Sequence, residues 1–138
     1  MKTSRRELAL LLPALAAAAG AEAQAELLPS KCYPFESLAV KKAPSGNETR
    51  QVLNGTTHSG CHIDLHVTTL QPGQMPHPAH HHVWEEMIMV QKGTLDVTIS
   101  GRTTRIGPGS IAYVASNEEH GWKNVGDTPA QYFVLALH

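Results

Sequence analysis

The chain has 138 residues, enough for one domain and too few for two independent hydrophobic cores. Hydrophobic residues make up 41% of the sequence, which is typical of a globular protein rather than a disordered one. The formal net charge of -1 excludes the strongly basic surface expected of a nucleic-acid-binding protein, so small molecules are the expected partners.

The first 25 residues have the features of an export signal: a basic start, an apolar run and then small residues suitable for cleavage. The apolar run is about 12 residues long, whereas a helix needs about 20 to cross a bilayer, so no stable membrane anchor is expected. Ser4, Arg5 and Arg6 precede Leu8 much as in a twin-arginine export signal, without its usual aromatic residue. We predict residues 1–25 as a signal peptide and the mature protein as periplasmic or otherwise exported.

Two cysteines, Cys32 and Cys61, follow the predicted signal. In an oxidising compartment they can form a disulfide, but neither has a CxxC spacing, and two free thiols are the alternative. The sequence leaves this question open.

The chain after the signal divides into two parts. Residues 26–54 carry prolines and turn residues with a weak pattern, and we predict an N-terminal arm that covers an edge strand or binds a partner. In residues 55–138, runs rich in Val, Ile and Thr alternate with Gly, Pro and Asn, and none keeps a helical period for three turns. This part is predicted to be all-β, a single-domain antiparallel β-barrel or jelly roll. The predicted strands are 51–53, 62–69, 85–91, 95–100, 102–106, 111–114 and 132–137.

A cluster of histidines and glutamates precedes the aliphatic run of the predicted strand 85–91. Residues of equal parity share one face of a strand, so His80, His82 and Glu86 should face the interior together. Buried imidazoles beside a carboxylate are tolerated when a cation joins them, and these groups suit a first-row divalent metal. We therefore predict a metal site, with His120 as the best-placed fourth donor. The alternative is a polar loop cluster without metal.

The polar residues near the predicted ligands are expected to lie outside the metal site. Glu85 has the wrong parity and should lie at the surface or an interface, and His77 and His81 should lie at the rim of the barrel. Asp64 and His66 alternate with aliphatic residues, and we favour a solvated outer face for them. The alternative places them near the cavity as acid–base groups or as groups that orient the ligands.

Two stretches of the chain resemble the sequence motifs of the cupin superfamily, and together they cover roughly residues 55–137. The first motif is matched by Gly73, His80, His82, Glu86 and Gly93, with one extra residue after Gly73. The second is matched by Gly109, His120 and Asn124, while Ala115 and Asn117 replace its usual proline and glycine. The resemblance implies a small β-barrel, a metal on His80, His82, Glu86 and His120, and often a homodimer.

The resemblance also implies manganese, iron, nickel or zinc as the metal. Twin-arginine export moves folded proteins, so the ion would be acquired in the cytoplasm, which favours manganese or iron. The leading hypothesis is a metal-dependent enzyme acting on a small organic molecule, with dioxygenase chemistry as the nominal reaction. Two alternatives are a non-catalytic metal- or ligand-binding module and a non-redox isomerase or lyase, because the fold does not choose the reaction. No catalytic residue is predicted.

Overall fold

The computed structural model describes residues 27–138, which form nine strands and one turn of 3-10 helix, Phe35–Ser37. The strands are β1 (Val40–Lys42), β2 (Glu48–Thr56), β3 (His62–Leu70), β4 (Glu85–Lys92), β5 (Leu95–Ile99), β6 (Arg102–Ile106), β7 (Ile111–Val114), β8 (His120–Asn124) and β9 (Ala130–Leu137). The predicted signal peptide, residues 1–25, lies outside the described residues. Within residues 27–138, no helix has the length and apolar character needed to cross a membrane.

The strands form two antiparallel sheets with a common core. The larger sheet has the order β1-β2-β3-β9-β4-β7 and the smaller has the order β6-β5-β8. Leu70, Ile88 and Tyr132 of the larger sheet share one buried cluster with Leu95 and Trp122 of the smaller sheet. The sheets therefore face each other across one core, and the predicted all-β barrel or jelly roll is confirmed.

Burial alternates along the two central strands of the larger sheet. In β4 the even-numbered residues Glu86, Ile88 and Val90 are buried, and the odd-numbered ones are half-buried or exposed. β9 shows the same period of two over its eight residues. Because successive side chains of a strand point to opposite faces, this register places Glu86 on the inner face with the aliphatic residues that follow it.

The sequence predicted most of the strands but missed β1 and β8. β1 was not predicted, and β2 is nine residues long where only residues 51–53 were expected. Residues 26–54, predicted as an arm, thus contribute β1 and most of β2 to the larger sheet. β8 was not among the predicted strands, yet it pairs with β5 along its whole length.

The segment before β1 contacts β2 near both ends of that strand. The Arg50 guanidinium lies over the Phe35 ring, 4.5 Å from its centroid, and donates a hydrogen bond to the carbonyl of Leu38 at 3.1 Å. Leu27 forms a bridge with Thr56. Cys32 and Cys61 are both free thiols in the structure, with Cys32 exposed.

Gly93, in the turn between β4 and β5, meets two constraints that exclude a side chain. Its φ is +81°, and a Cβ atom there would lie 2.6 Å from the Cα of Ala130. We expect Gly93→Ala to lower the free energy of unfolding by about 3 kcal/mol, because backbone strain and overpacking add. Urea unfolding measures this loss.

Gly101 supplies a matched control for Gly93. Its φ is +77°, but a Cβ atom there would meet nothing within 4 Å. Gly101→Ala should therefore cost only the backbone strain, about 1 kcal/mol. Equal losses for the two variants would show that the close approach of Ala130 contributes nothing.

Candidate metal centre

The polar site forms where the loop before β4 meets the first residue of β8. His80 and His120 form an isolated antiparallel bridge, with backbone N–H···O distances of 3.0 and 2.8 Å. His82 follows on the same loop, and its carbonyl accepts a hydrogen bond from the amide of Asn117 at 2.8 Å. Backbone hydrogen bonds thus fix both histidine-bearing segments beside each other, which limits how far the imidazoles can separate.

Three of the four predicted ligands lie together at this point. His80, His82 and His120 each offer one ligand atom, and these atoms lie within 4.8 Å of one another, so the three imidazoles can hold a metal ion. Glu86 lies outside this three-histidine group, but its Oε2 is 3.2 Å from His82 Nε2. Two donors that lie about 2.1 Å from one ion and about 100° apart are separated by about 3.2 Å. Glu86 and His82 therefore have a spacing suited to one shared ion.

Backbone carbonyls fix the tautomers of two of the imidazoles. The Nδ1–H of His82 donates to the carbonyl of Trp84 at 2.8 Å, and the Nδ1–H of His120 donates to the carbonyl of Glu118 at 2.8 Å. In a neutral imidazole this arrangement leaves Nε2 as a lone pair. In the neutral form of His82 this lone pair faces the Glu86 carboxylate with no proton between them, an arrangement that a bound cation would stabilise.

Two buried nitrogens in the cluster have no hydrogen-bond partner among the described residues: Nδ1 of His80 and Nε2 of His120. Leaving a buried polar atom unpaired costs about 1–3 kcal/mol. Burial, together with the neighbouring His77, His120 and His82, lowers the pKa of His80, which favours its neutral form. Neutral, unpaired imidazole nitrogens are suitable metal ligands, so the residues present fit a divalent transition-metal ion.

Aromatic side chains surround the cluster. The Trp84 ring stacks on His82 with centroids 4.4 Å apart and an angle of 13°, and it also stacks on His138 at 4.8 Å. On the other side, Trp122 stacks on His120 at 5.9 Å and donates its indole hydrogen to Tyr132 at 2.7 Å. These contacts hold the imidazoles in place and put large apolar surfaces beside the site.

Two adjoining cavities open from the inner face of the larger sheet. One, of about 380 Å³, is lined by His80, His82, Glu86 and Trp84. The other, of about 520 Å³, shares Glu86 and is walled by Trp122 and by residues of β3 and β9. Both volumes fall in the range of about 300–1,000 Å³ typical of small-molecule sites.

The favoured outer-face position for Asp64 and His66 is wrong. Both residues line the smaller cavity together with His80, His82 and Glu86. The residues that share their parity on β3, Thr68 and Leu70, are buried and line the larger cavity. The even-numbered residues of β3 therefore face inwards, and the odd-numbered residues Ile63, Leu65 and Val67 face the other side of the sheet.

The other polar neighbours lie at the periphery. His81 is exposed, and Glu85 lies beside Tyr113, where its hydrogen bond raises the pKa of that phenol. His77 lines the larger cavity, and its ring lies 4.3 Å from that of His80. In β8 four residues are buried and only Lys123 is exposed, so the strand shows no strict alternation that the sequence could have revealed.

Comparisons with known proteins give a consistent result. Residues 66–136 match the family model described as a cupin domain. Among solved structures, KdgF from Halomonas sp. is 13% identical with a TM-score of 0.67, covering 78% of this chain and 94% of that chain. The polyketide cyclase RemF from Streptomyces resistomycificus is 20% identical with a TM-score of 0.65, covering 79% of this chain and 80% of that chain.

A predicted oxalate decarboxylase from Thermotoga maritima is also similar, at 16% identity and a TM-score of 0.64, covering 78% of this chain and 98% of that chain. Comparison with curated proteins gave no significant match. At these levels of identity the structural likeness shows the fold alone.

Proposed function

Since the chain belongs to the cupin family, we propose that it binds one divalent transition-metal ion on His80, His82, Glu86 and His120 and acts on a small organic molecule. The observation that carries this proposal is the pair of unpaired, buried nitrogens on His80 and His120 within the three-histidine group. Manganese and iron are the favoured ions. Elemental analysis of protein purified from its own periplasm tests the proposal, and one such ion per chain is the expected result.

The nominal reaction is that of a dioxygenase, because imidazoles with one carboxylate suit a redox-active divalent ion. When bound, the ion would polarise a substrate oxygen or support oxygen chemistry, and it would leave coordination positions open for the substrate. The protein's own residues contribute the cavity, and Trp84 and Trp122 stack on His82 and His120 and hold these two rings in place. Oxygen uptake on catechols, flavonols and diketones, with each metal in turn, tests the reaction class.

A non-redox isomerase or lyase is the second candidate, and a specific observation favours it. Asp64 and His66 line the same cavity as the proposed ligands and offer an acid–base pair that oxygen chemistry does not require. A similar solved structure is described as a sugar phosphate isomerase from Silicibacter pomeroyi. Turnover in the absence of oxygen would support this candidate, and recovery of a bound ligand unchanged after long incubation would support a binding module instead.

Export of the folded protein is part of the proposal. A twin-arginine pathway would deliver a barrel already loaded in the cytoplasm, where availability decides which metal is bound. Native material should therefore contain manganese or iron, and protein refolded outside the cell should take up copper or zinc. Identical metal contents in the two preparations would contradict this route.

A homodimer through the outer face of the larger sheet is the proposed assembly. Ile111 and Tyr113 on the edge strand β7 are 62% and 49% exposed, and they pair with Met89 and Met87 of β4. An exposed apolar patch of this kind is typical of an interface. We expect the purified protein to sediment as a dimer and Ile111→Lys to sediment as a monomer.

Thr103 supplies the control for the dimer, since it is exposed on β6 of the other sheet. Thr103→Lys adds the same charge away from the proposed interface and should leave the dimer intact. A monomeric wild-type protein at micromolar concentration would rule out this assembly.

A further inference from the structure

The inner face of β3 carries a carboxylate–imidazole pair that the proposed metal site does not use. His66 Nδ1 lies 3.3 Å from Asp64 Oδ1, and the two residues are two positions apart on one strand, so their side chains share a face. A carboxylate only accepts hydrogen bonds, so Nδ1 carries the hydrogen and Nε2 of the neutral ring is a lone pair. Among the described residues, this Nε2 makes no hydrogen bond, and the ring lines both cavities.

A β-bulge builds the support for this pair. The register of β2 against β3 shifts between Gln51 and Leu53, so that Gln51 pairs with His66 and Asn54 pairs with Asp64. Gln51 and Asn54 have opposite parity, and in a regular strand they would lie on opposite faces. The extra residue places both on the inner face, where each donates a side-chain hydrogen bond to Asp64.

The hydrogen bonds to Asp64 keep it ionised. Burial opposes ionisation, but the hydrogen bonds from Gln51, His66 and Asn54 outweigh it and hold the pKa of Asp64 below its usual value. An ionised Asp64 fixes the orientation and tautomer of His66 and stabilises the imidazolium that forms when His66 takes up a proton. Asp64 is therefore a positioning residue, and His66 Nε2 is the group that would contact a ligand.

Strand β9 lies between β3, which carries the Asp64–His66 pair, and β4, which carries the proposed metal ligand Glu86. Ala136 of β9 is paired with Asp64 on one side and with Glu86 on the other, so one small residue separates them. With strands about 4.8 Å apart, the Cα atoms of Asp64 and Glu86 are about 10 Å apart. The titratable groups that share the cavity with the pair are Glu86, His80, His82 and His138.

We propose that His66, oriented by Asp64, is a general base that removes a proton from a C–H or O–H group of a small molecule bound in the cavity. The substrate class is a weakly acidic compound such as an enolisable carbonyl or a phenol. This base acts on the cavity's ligand whether or not a metal is bound, so the inference does not depend on the proposed metal site.

The test uses 5-nitrobenzisoxazole, a chromogenic probe whose reaction needs only a base. The base takes the proton from the ring carbon, the C–H electrons form the nitrile, and the N–O bond breaks to release a coloured phenolate. The full-length mature protein is assayed as purified and after treatment with a chelator, which removes any contribution from a metal-bound hydroxide. We expect a rate at least about tenfold above that of free imidazole at equal concentration, because a positioned base typically contributes more than this.

Variants separate the base from a general effect of the cavity. His66→Gln should lower the rate to that of free imidazole, whereas His58→Gln, at an exposed histidine outside the cavity, should keep the wild-type rate. Asp64→Asn should lower kcat about tenfold with little change in KM, since it loses the charge that stabilises the imidazolium. Imidazole added to the buffer should restore activity to His66→Gly, which a merely structural role would not allow.

Two results would overturn the proposal: a wild-type protein no faster than free imidazole, or a His66→Gln protein as fast as the wild type. Thermal unfolding of each variant shows whether the fold is intact. Metal content is measured in parallel, so a protein without metal but with the probe reaction would contradict only the proposed metal site.

Discussion

The His82→Ala protein is expected to purify without its metal ion. In the structure His82 is buried, its Nδ1–H is held by the Trp84 carbonyl, and its Nε2 faces Glu86 at 3.2 Å. Removing this imidazole deletes a proposed ligand and leaves the Glu86 carboxylate without its neighbour. Removing a residue that only hydrogen-bonds to a metal ligand typically lowers the metal affinity by about 10–100-fold. Because His82 is itself a proposed ligand, we expect its removal to lower the metal affinity by more than about a hundredfold. Elemental analysis and a competitive titration against a chelator measure it.

His81 provides the matched control, because it is the adjacent histidine on the same loop. It is exposed and has the opposite parity. His81→Ala should keep one metal ion per chain with unchanged affinity. Equal losses in His81→Ala and His82→Ala would show that the metal does not depend on the buried imidazole of His82 more than on the exposed imidazole of His81.

The Asn124→Ala protein is expected to lose about 3 kcal/mol of its free energy of unfolding, because a fully buried side chain loses three hydrogen bonds together. The Asn124 side chain is fully buried, and its amide donates to the carbonyls of Leu70 and Thr128 at 3.0 and 2.8 Å. Its Oδ1 accepts a hydrogen bond from the amide of Gly126 at 3.0 Å. Alanine removes this donor from a carbonyl at the end of β3 and from one in the loop between β8 and β9. Urea unfolding with a linear extrapolation measures the loss.

Gln131→Ala is the control for Asn124→Ala. The Gln131 side chain is half-buried and makes one hydrogen bond, to the Thr69 hydroxyl at 3.1 Å. Its removal should cost about 1 kcal/mol, the ordinary contribution of one hydrogen bond. Similar losses at the two positions would mean that the amide of Asn124 has no special part in joining β8 to β3.

The alternation of buried and less buried residues along the strands explains how much of the fold the sequence could predict. In β4 and β9 the buried residues alternate strictly with less buried ones, and strands of this kind are readable from side-chain chemistry alone. β8 has only five residues and includes a glycine, so its strand character comes from its pairing with β5. Pairing is a tertiary property that a local pattern does not contain.

The same reasoning applies to the candidate site. Equal parity predicted that His80, His82 and Glu86 face the same side, although His80 and His82 lie in the loop before β4 rather than in a strand. The bridge at His80 brings His120, the predicted fourth donor, beside the other two histidines. Whether these four residues bind an ion stays a prediction. Parity alone could not decide which face of β3 is the inner one, and the choice made for His66 was wrong because the interior at this point is polar.

The bulge in β2 was also beyond sequence reasoning. One extra residue between Gln51 and Leu53 changes which side chains of β2 face Asp64. Nothing in the local sequence marks its position, because the bulge is defined by the register against β3. The support of the acid–base pair is therefore visible only in the structure.

Anomalous diffraction from crystals of manganese-loaded protein tests the central claim most directly. We expect one strong peak inside the barrel, about 2.0–2.3 Å from a nitrogen of each of His80, His82 and His120 and from an oxygen of Glu86. A fully loaded protein whose only peak lies elsewhere, or whose four side chains remain without an ion, would contradict it.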